Sequence, residues 1–221
     1  MQLSSLNVKI FKDFPEIQVS FAKGNFGFEL NGSEKVLGER KEFLKSLKLE
    51  QYELATLSQV HGAEVINADN LKVDFLQPET AEADGLFSKK AQLFLGVKTA
   101  DCLPVLFYHP RKKIFGIIHV GWRGAESQIL FKAIQELVQS YAAATQDFYF
   151  YFGPAAQSCC YEGQHRNFVQ DNISQLKALG IRNDQIENSG ICTIHDTRFP
   201  SHRREKEQRK EVLLSIIGIR G

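Results

Sequence analysis

Apolar and polar positions recur with changing periods along this chain, and those periods mark out its elements. Residues 6–11 and 16–21 read as two short strands joined at Asp13-Phe14-Pro15, a hairpin-like opening. Beyond Ser33, which reads as an N-cap, Val36, Leu37, Phe43, Leu44 and Leu47 recur at helical spacing and predict a helix over 34–47. Residues 56–60 alternate as a strand and residues 64–67 as another, with His61-Gly62 at the turn between them. The middle of the chain is its most apolar part. Runs of branched and aromatic residues at 93–97, 103–108 and 114–120 read as strands covered on both faces, and 109–113 reads as the hairpin loop joining the last two. A helix is expected over 124–141, with Leu130, Ala133, Ile134, Leu137, Val138 and Tyr141 on one face. An aromatic strand at 148–152 stops at Gly153-Pro154, and a helix over 168–179 ends at Gly180. Short strands at 185–188 and 192–194, a charge run at 203–210 and an apolar strand at 212–219 close the chain. Strands and helices mix without regular βαβ alternation. The pattern therefore predicts an α+β fold, a layered α/β sandwich with mixed sheets, in a single domain over 1–221.

Composition narrows the function. With 221 residues and 43% hydrophobic content the chain can bury a real core. A formal net charge of +1 gives no basic face for nucleic acid. No apolar run is long enough to span a bilayer and the first residues do not read as a secretory signal, so a cytoplasmic protein without membrane partners is expected. Four cysteines in a chain this long are not a disulfide scaffold, and Cys159 and Cys160 are adjacent. A special cysteine is therefore to be sought as a ligand or a nucleophile.

His61, Cys102 and His119 all fall at ends of expected strands, and strand ends of one sheet can converge. Two imidazoles and a thiolate suit zinc, and three protein ligands leave a fourth position open. The competing reading is that each is structural: a lone histidine beside a strand is usually just hydrogen-bonded, a lone cysteine is often a small apolar filler, and no compact Cys-x-x-Cys word is present. His109, His165 and His202 lie in polar stretches and are expected in solvent. His195, in Cys192-Thr193-Ile194-His195-Asp196, is expected to line the pocket or orient a neighbour without ligating the metal.

The local words decide between these readings. Ser58-Gln59-Val60-His61-Gly62, Glu82-Ala83-Asp84-Gly85-Leu86, Thr99-Ala100-Asp101-Cys102-Leu103-Pro104-Val105 and His119-Val120-Gly121-Trp122-Arg123-Gly124 follow in order. Gly153-Pro154 with Cys159-Cys160-Tyr161-Glu162, and Cys192-Thr193 with Ser201-His202-Arg203-Arg204, complete the series. This series resembles the YfiH family, the laccase-domain or multicopper polyphenol oxidase-like family, from about Gln59 onward. The resemblance implies a YfiH/CNF-like fold and one zinc per chain on His61, Cys102 and His119. It implies purine nucleoside phosphorolysis, with adenosine deamination and methylthioadenosine phosphorolysis as companion activities. Purine nucleosides and phosphate are the implied partners of a monomer or homodimer. The family's Arg-x-Gly-Gly-x-Ser loop is replaced here by Ser20-Phe21-Ala22-Lys23-Gly24-Asn25-Phe26-Gly27, and the stretch between Tyr161 and Cys192 is short, so the substrate walls differ more than the metal words.

Within this reading Cys102 and Asp101 belong to the reacting centre, and Asp101 and Asp84 are candidate acids or partners of a ligand histidine. Arg203 is the first candidate for phosphate, because guanidinium forks match phosphate oxygens; Arg123 and Arg204 are further candidates, and all three have a solvated or helix-starting alternative. Gln59 and His195 are expected to face the substrate, whereas Phe107 and Tyr108 read as core. Rival readings are a peptidoglycan-editing amidase, a zinc-stabilised binding protein without turnover, and a copper laccase. The laccase would need many histidines, and the chain has 6.

Overall fold

The computed structural model describes residues 2–3, 6–26, 34–72, 81–160, 167–208 and 211–220; Ser33 with its expected cap, Tyr161, Glu162 and His165 lie outside the described residues. Two mixed sheets form the centre. The first runs β1 (Gln2–Leu3), β2 (Ile17–Gly24), β11 (Val212–Ile219), β6 (Leu93–Thr99), β3 (Glu53–Ala55). The second runs β10 (Ile186–Asn188), β9 (Tyr149–Phe152), β7 (Leu103–His109), β8 (Ile114–Val120), β5 (Gly85–Ser88), β4 (Val65–Asn67). The pairs β3/β6, β4/β5 and β9/β10 are parallel and the others antiparallel.

The sheets face each other across a core in which Leu95, Val97, Leu213 and Ile217 meet Leu86, Leu106, Phe115 and Ile117. The outer face of the second sheet is covered by α3 (Ile129–Tyr141) and α4 (Phe168–Ala178), which bring Leu130, Ile134, Leu137, Ile173 and Leu176 onto Val105, Phe107 and Ile118. Phe43 of α1 (Glu34–Ser46) covers Phe94, Leu214 and Ile216 on the outer face of the first. This helix–sheet–sheet–helix layering explains the unbroken apolar runs. Every residue of β6, β7, β8 and β11 is buried, because both faces of those strands are covered.

Several expectations change. Residues 6–11 form no strand. Leu6, Val8 and Ile10 lean on the core from irregular backbone, and the N–H groups of Lys9 and Ile10 donate to the Glu187 carboxylate at 2.8 and 2.6 Å. Their alternation reports one-sided burial, not pairing. Strand pairing near the expected 56–60 strand ends at Ala55; beyond it Ser58 makes a single bridge to Glu82, and Val60 is 50% exposed. The expected helix over 124–141 is two helices, α2 (Trp122–Glu126) and α3, because Gln128 takes a left-handed φ of 57°. Residues 192–194 form a turn with one bridge, Ala155 to Cys192, instead of a strand. The described part of the charge run is a short helix, α5 (His202–Glu205), capped by Ser201 Oγ accepting from the Arg204 N–H at 3.1 Å. His109 is not in solvent. It is 1% exposed at the end of β7, edge-on to Phe148, and its Nδ1 accepts from the Lys112 N–H at 3.2 Å.

Candidate metal centre

The antiparallel register of β7 and β8 pairs Pro104 with His119, so the start of one strand lies beside the end of the other. Cys102, two residues before Pro104, is thereby brought to His119. His61 reaches the same point from the loop after Val60, with a left-handed φ of 59°, a conformation that costs a non-glycine residue about 1–3 kcal/mol. Asp84 holds it there. Its Oδ1 accepts from the His61 N–H at 3.0 Å and its Oδ2 from the Gly62 N–H at 2.6 Å, while Oδ1 also lies 2.7 Å from His119 Nδ1. The ligand atoms of His61, Cys102 and His119 all lie within 4.8 Å of one another, a group able to hold a metal ion. The two imidazoles cross at 88° with centroids 4.8 Å apart. Gly121 lies directly against all three: a Cβ there would sit 3.1 Å from His61 Cδ2, 3.5 Å from Cys102 Sγ and 3.8 Å from His119 Cε1.

The electrostatics prepare a thiolate beside a protonated imidazole. Burial raises the Cys102 thiol, but hydrogen bonds and charge from His119 and His61 outweigh it and bring the pKa down to about 6. Burial lowers His119, but Asp84 and the Cys102 thiolate lift it to about 9. Burial also raises Asp84, yet His119 and the Gly62 N–H hold it below the ordinary carboxylate value. With Nδ1 turned to Asp84, Nε2 of His119 is the nitrogen that would ligate a metal on releasing its proton, and Cys102 is ready as a thiolate. Two nitrogens and a thiolate held by an outer carboxylate fit a borderline-soft ion such as zinc.

The cluster lies on a cavity of about 340 Å³. Gln59 and Asp101 reach this cavity, as expected, but both are tied down. The Gln59 amide donates to the Lys98 carbonyl at 2.8 Å and accepts from its N–H at 2.7 Å, replacing the strand pairing that residues 56–60 lack. Asp101 has a φ of 84°, and its carboxylate accepts from Thr193 Oγ1 and from the Arg203 N–H, both at 2.7 Å. Arg203 is among the residues that line the cavity. Arg204 is not; it donates to the carbonyls of Thr193, Ile194 and Phe199, which fixes a loop and not a substrate. Arg123 lies over the Trp122 ring at 4.9 Å instead of lining the cavity. His195 also lies elsewhere, with its ring nitrogens 3.6 Å from Cys159 Sγ and 3.3 Å from Cys160 Sγ.

Five lining residues were not anticipated: Lys98, Thr99, Ala100, Trp122 and His202. Lys98 is only 1% exposed. Its signal was available, a lysine ending an apolar run just before Thr99-Ala100-Asp101-Cys102, where an ordinary strand would place a cation in solvent. His202 was expected in solvent, and although exposed it borders the cavity.

Residues 16–171 and 163–220 match the family model described as multi-copper polyphenol oxidoreductase laccase. A purine nucleoside phosphorylase of Clostridium acetobutylicum is 28% identical over 187 residues, covering 82% of this chain and 72% of that protein. One of Campylobacter jejuni is 31% identical over 176 residues, covering 71% and 74%. The crystal structure of a hypothetical YfiH protein from Bacillus licheniformis superposes with a TM-score of 0.85 at 25% identity over 95% of each chain.

Proposed function

The chain belongs to the multi-copper polyphenol oxidoreductase laccase family, also called the YfiH family, and from that premise we propose that it is a zinc-dependent purine nucleoside phosphorylase. The observation that carries this reading is a three-ligand centre opening onto a cavity that also receives Lys98 and Arg203. Zinc held by His61, Cys102 and His119 would supply a Lewis acid with a free fourth position.

The remaining work falls to the chain's own groups. Phosphate must lie beside C1′ of the ribose, and a dianion leaving water needs cations and N–H donors in exchange. Lys98 and Arg203 provide the cations. Asp101 holds the Arg203 backbone by accepting its N–H, which gives it a positioning role in this reading. Trp122 offers a flat aromatic face to a purine. A phosphate oxygen then bonds to C1′ as the C1′–N9 bond breaks, and the base nitrogen takes up a proton. The products are free base and ribose 1-phosphate. Methylthioadenosine would react in the same way. Adenosine deamination would use water at purine C6 in place of phosphate at C1′.

The test is incubation of the zinc-loaded protein with inosine or adenosine plus phosphate. Free base with ribose 1-phosphate supports the reading. Inosine from adenosine without free base replaces it with a deaminase. Turnover of neither, together with muropeptide hydrolysis or oxygen-dependent phenol oxidation, points to the amidase or the oxidase; no turnover at all points to a binding protein. Arg203→Ala should keep its metal and raise the phosphate KM or lower turnover by about tenfold or more, as for loss of a charged hydrogen bond of roughly 1.5–3 kcal/mol.

A further inference from the structure

A second group of metal-ligand side chains lies outside this cavity. Cys159, Cys160, Cys192 and His195 place their ligand atoms within 4.8 Å of one another. They come from two segments that are locked together in register: the Ala155 N–H donates to the Ile191 carbonyl at 3.1 Å, and the Thr193 N–H donates to the Ala155 carbonyl at 3.1 Å. Cys192 and His195 are three residues apart on one turn, a spacing that turns both side chains to the same side. Cys159 and Cys160 come from the turn that follows Gln157.

The distances match a metal tetrahedron. Zinc–sulfur bonds of about 2.3 Å and zinc–nitrogen bonds of about 2.0–2.1 Å give tetrahedral edges of about 3.8 Å between sulfurs and about 3.6 Å between sulfur and nitrogen. Here Cys159 and Cys160 are 3.8 Å apart at sulfur and Cys160 and Cys192 are 3.7 Å apart. His195 turns Nε2 to Cys160 Sγ at 3.3 Å and Nδ1 to Cys159 Sγ at 3.6 Å, so its ring lies against both thiols and would ligate through one of these two nitrogens. These separations are far beyond the roughly 2.05 Å of a disulfide, and all four cysteines are free thiols. Apolar packing does not account for the group, since Cys159 and His195 are exposed.

We propose that Cys159, Cys160, Cys192 and His195 bind a second zinc ion, a closed four-ligand structural site that staples residues 155–160 to residues 191–195. Its position gives it a task. Thr193, between two of the ligands, donates to Asp101, which in turn accepts from the Arg203 N–H. The staple therefore braces the cavity wall that carries Arg203, while sharing no ligand with the first centre. The site stands whatever reaction the cavity performs.

Elemental analysis of the full chain purified under reducing conditions, after dialysis against excess zinc and removal of loose ion, tests this. Two zinc ions per chain are expected, one in Cys192→Ser, one in Cys102→Ala and none in the double variant. His195→Ala, at an exposed position, is the second probe if Cys192→Ser does not fold; it should lose one zinc or bind it at least tenfold more weakly with an unchanged circular dichroism spectrum. Cobalt substitution separates the sites, because three thiolates give stronger sulfur-to-cobalt charge transfer than one, and that band should fall mainly in Cys192→Ser. Equal zinc in the wild type and both cluster variants would overturn the proposal. So would a Cys160–Cys192 disulfide in the reduced, zinc-exposed protein, or zinc lost only with Cys102.

Discussion

Asp84→Asn isolates how the first centre is held. The carboxylate is fully buried and receives three donors on two oxygens: the His61 N–H and His119 Nδ1 on Oδ1, and the Gly62 N–H on Oδ2. An asparagine of the same shape has one acceptor oxygen and one donor NH2. If its oxygen stays at the Oδ1 position, its NH2 confronts the Gly62 N–H across 2.6 Å, donor against donor. If it flips, the NH2 faces the His61 N–H and His119 Nδ1. His119 can then accept only by moving its proton to Nε2, the nitrogen needed by the metal. Either orientation leaves one buried donor unpaired or one ligand protonated, a cost of about 1–3 kcal/mol. Loss of such an outer-shell partner typically lowers metal affinity by about 10–100-fold. Competition with a chromophoric chelator at neutral pH should show a weakening of that size, and thermal stability of the metal-free protein should fall as well. The first centre is read against Cys192→Ser as background, so that the other cysteine cluster does not contribute. An unchanged affinity would refute the reasoning, because it would mean that neither the orientation of His119 nor the left-handed turn at His61 depends on the charge of Asp84.

Gly121→Ala should lower the zinc affinity of the first centre by about tenfold or more with the fold retained, since φ at Gly121 is −82° and only the contact of the new Cβ with His61 and Cys102 is at issue; chelator competition beside a circular dichroism spectrum checks it. In metal-stripped protein the alkylation rate of Cys102 should rise with pH through a midpoint near 6, against 9.0 for an ordinary thiol, and zinc should suppress it. The folded pKa lies below the unfolded one, so the stability contributed by this thiolate is full above pH 9 and is lost as pH falls through 6. Arg204→Ala should destabilise the chain by about 2–3 kcal/mol in urea unfolding, by freeing the carbonyls of Thr193, Ile194 and Phe199. Arg204→Lys should recover little, because one ammonium cannot reproduce the fork that reaches three carbonyls.

The layering and the candidate metal cluster were both legible in the order of residues. Unbroken apolar runs at β6, β7, β8 and β11 mean strands covered on both faces, and that local fact forces a sandwich with helices outside. His61, Cys102 and His119 were legible because their ligand chemistry coincides with the family words around them, although His61 sits in a loop and not at the strand end expected for it. Tertiary structure decided what depends on contacts between distant segments. Arg203 and Arg204 are neighbours in one charge run, yet consecutive residues of a helix point about 100° apart, so one borders the cavity and the other fastens a loop. Residues 56–60 read as a strand, but the Gln59 side chain, and not the backbone, pairs with Lys98. Lys98 stood in plain view at the end of an apolar run, but only the closing of the fold over it shows that this cation is buried. The Cys192–His195 spacing was visible locally, whereas its partners Cys159 and Cys160 lie more than thirty residues earlier and are joined to it only by the register between residues 155 and 192. Periodicity records which side of an element is buried; which segments meet there is set by chain closure over long separations, and no local pattern carries that.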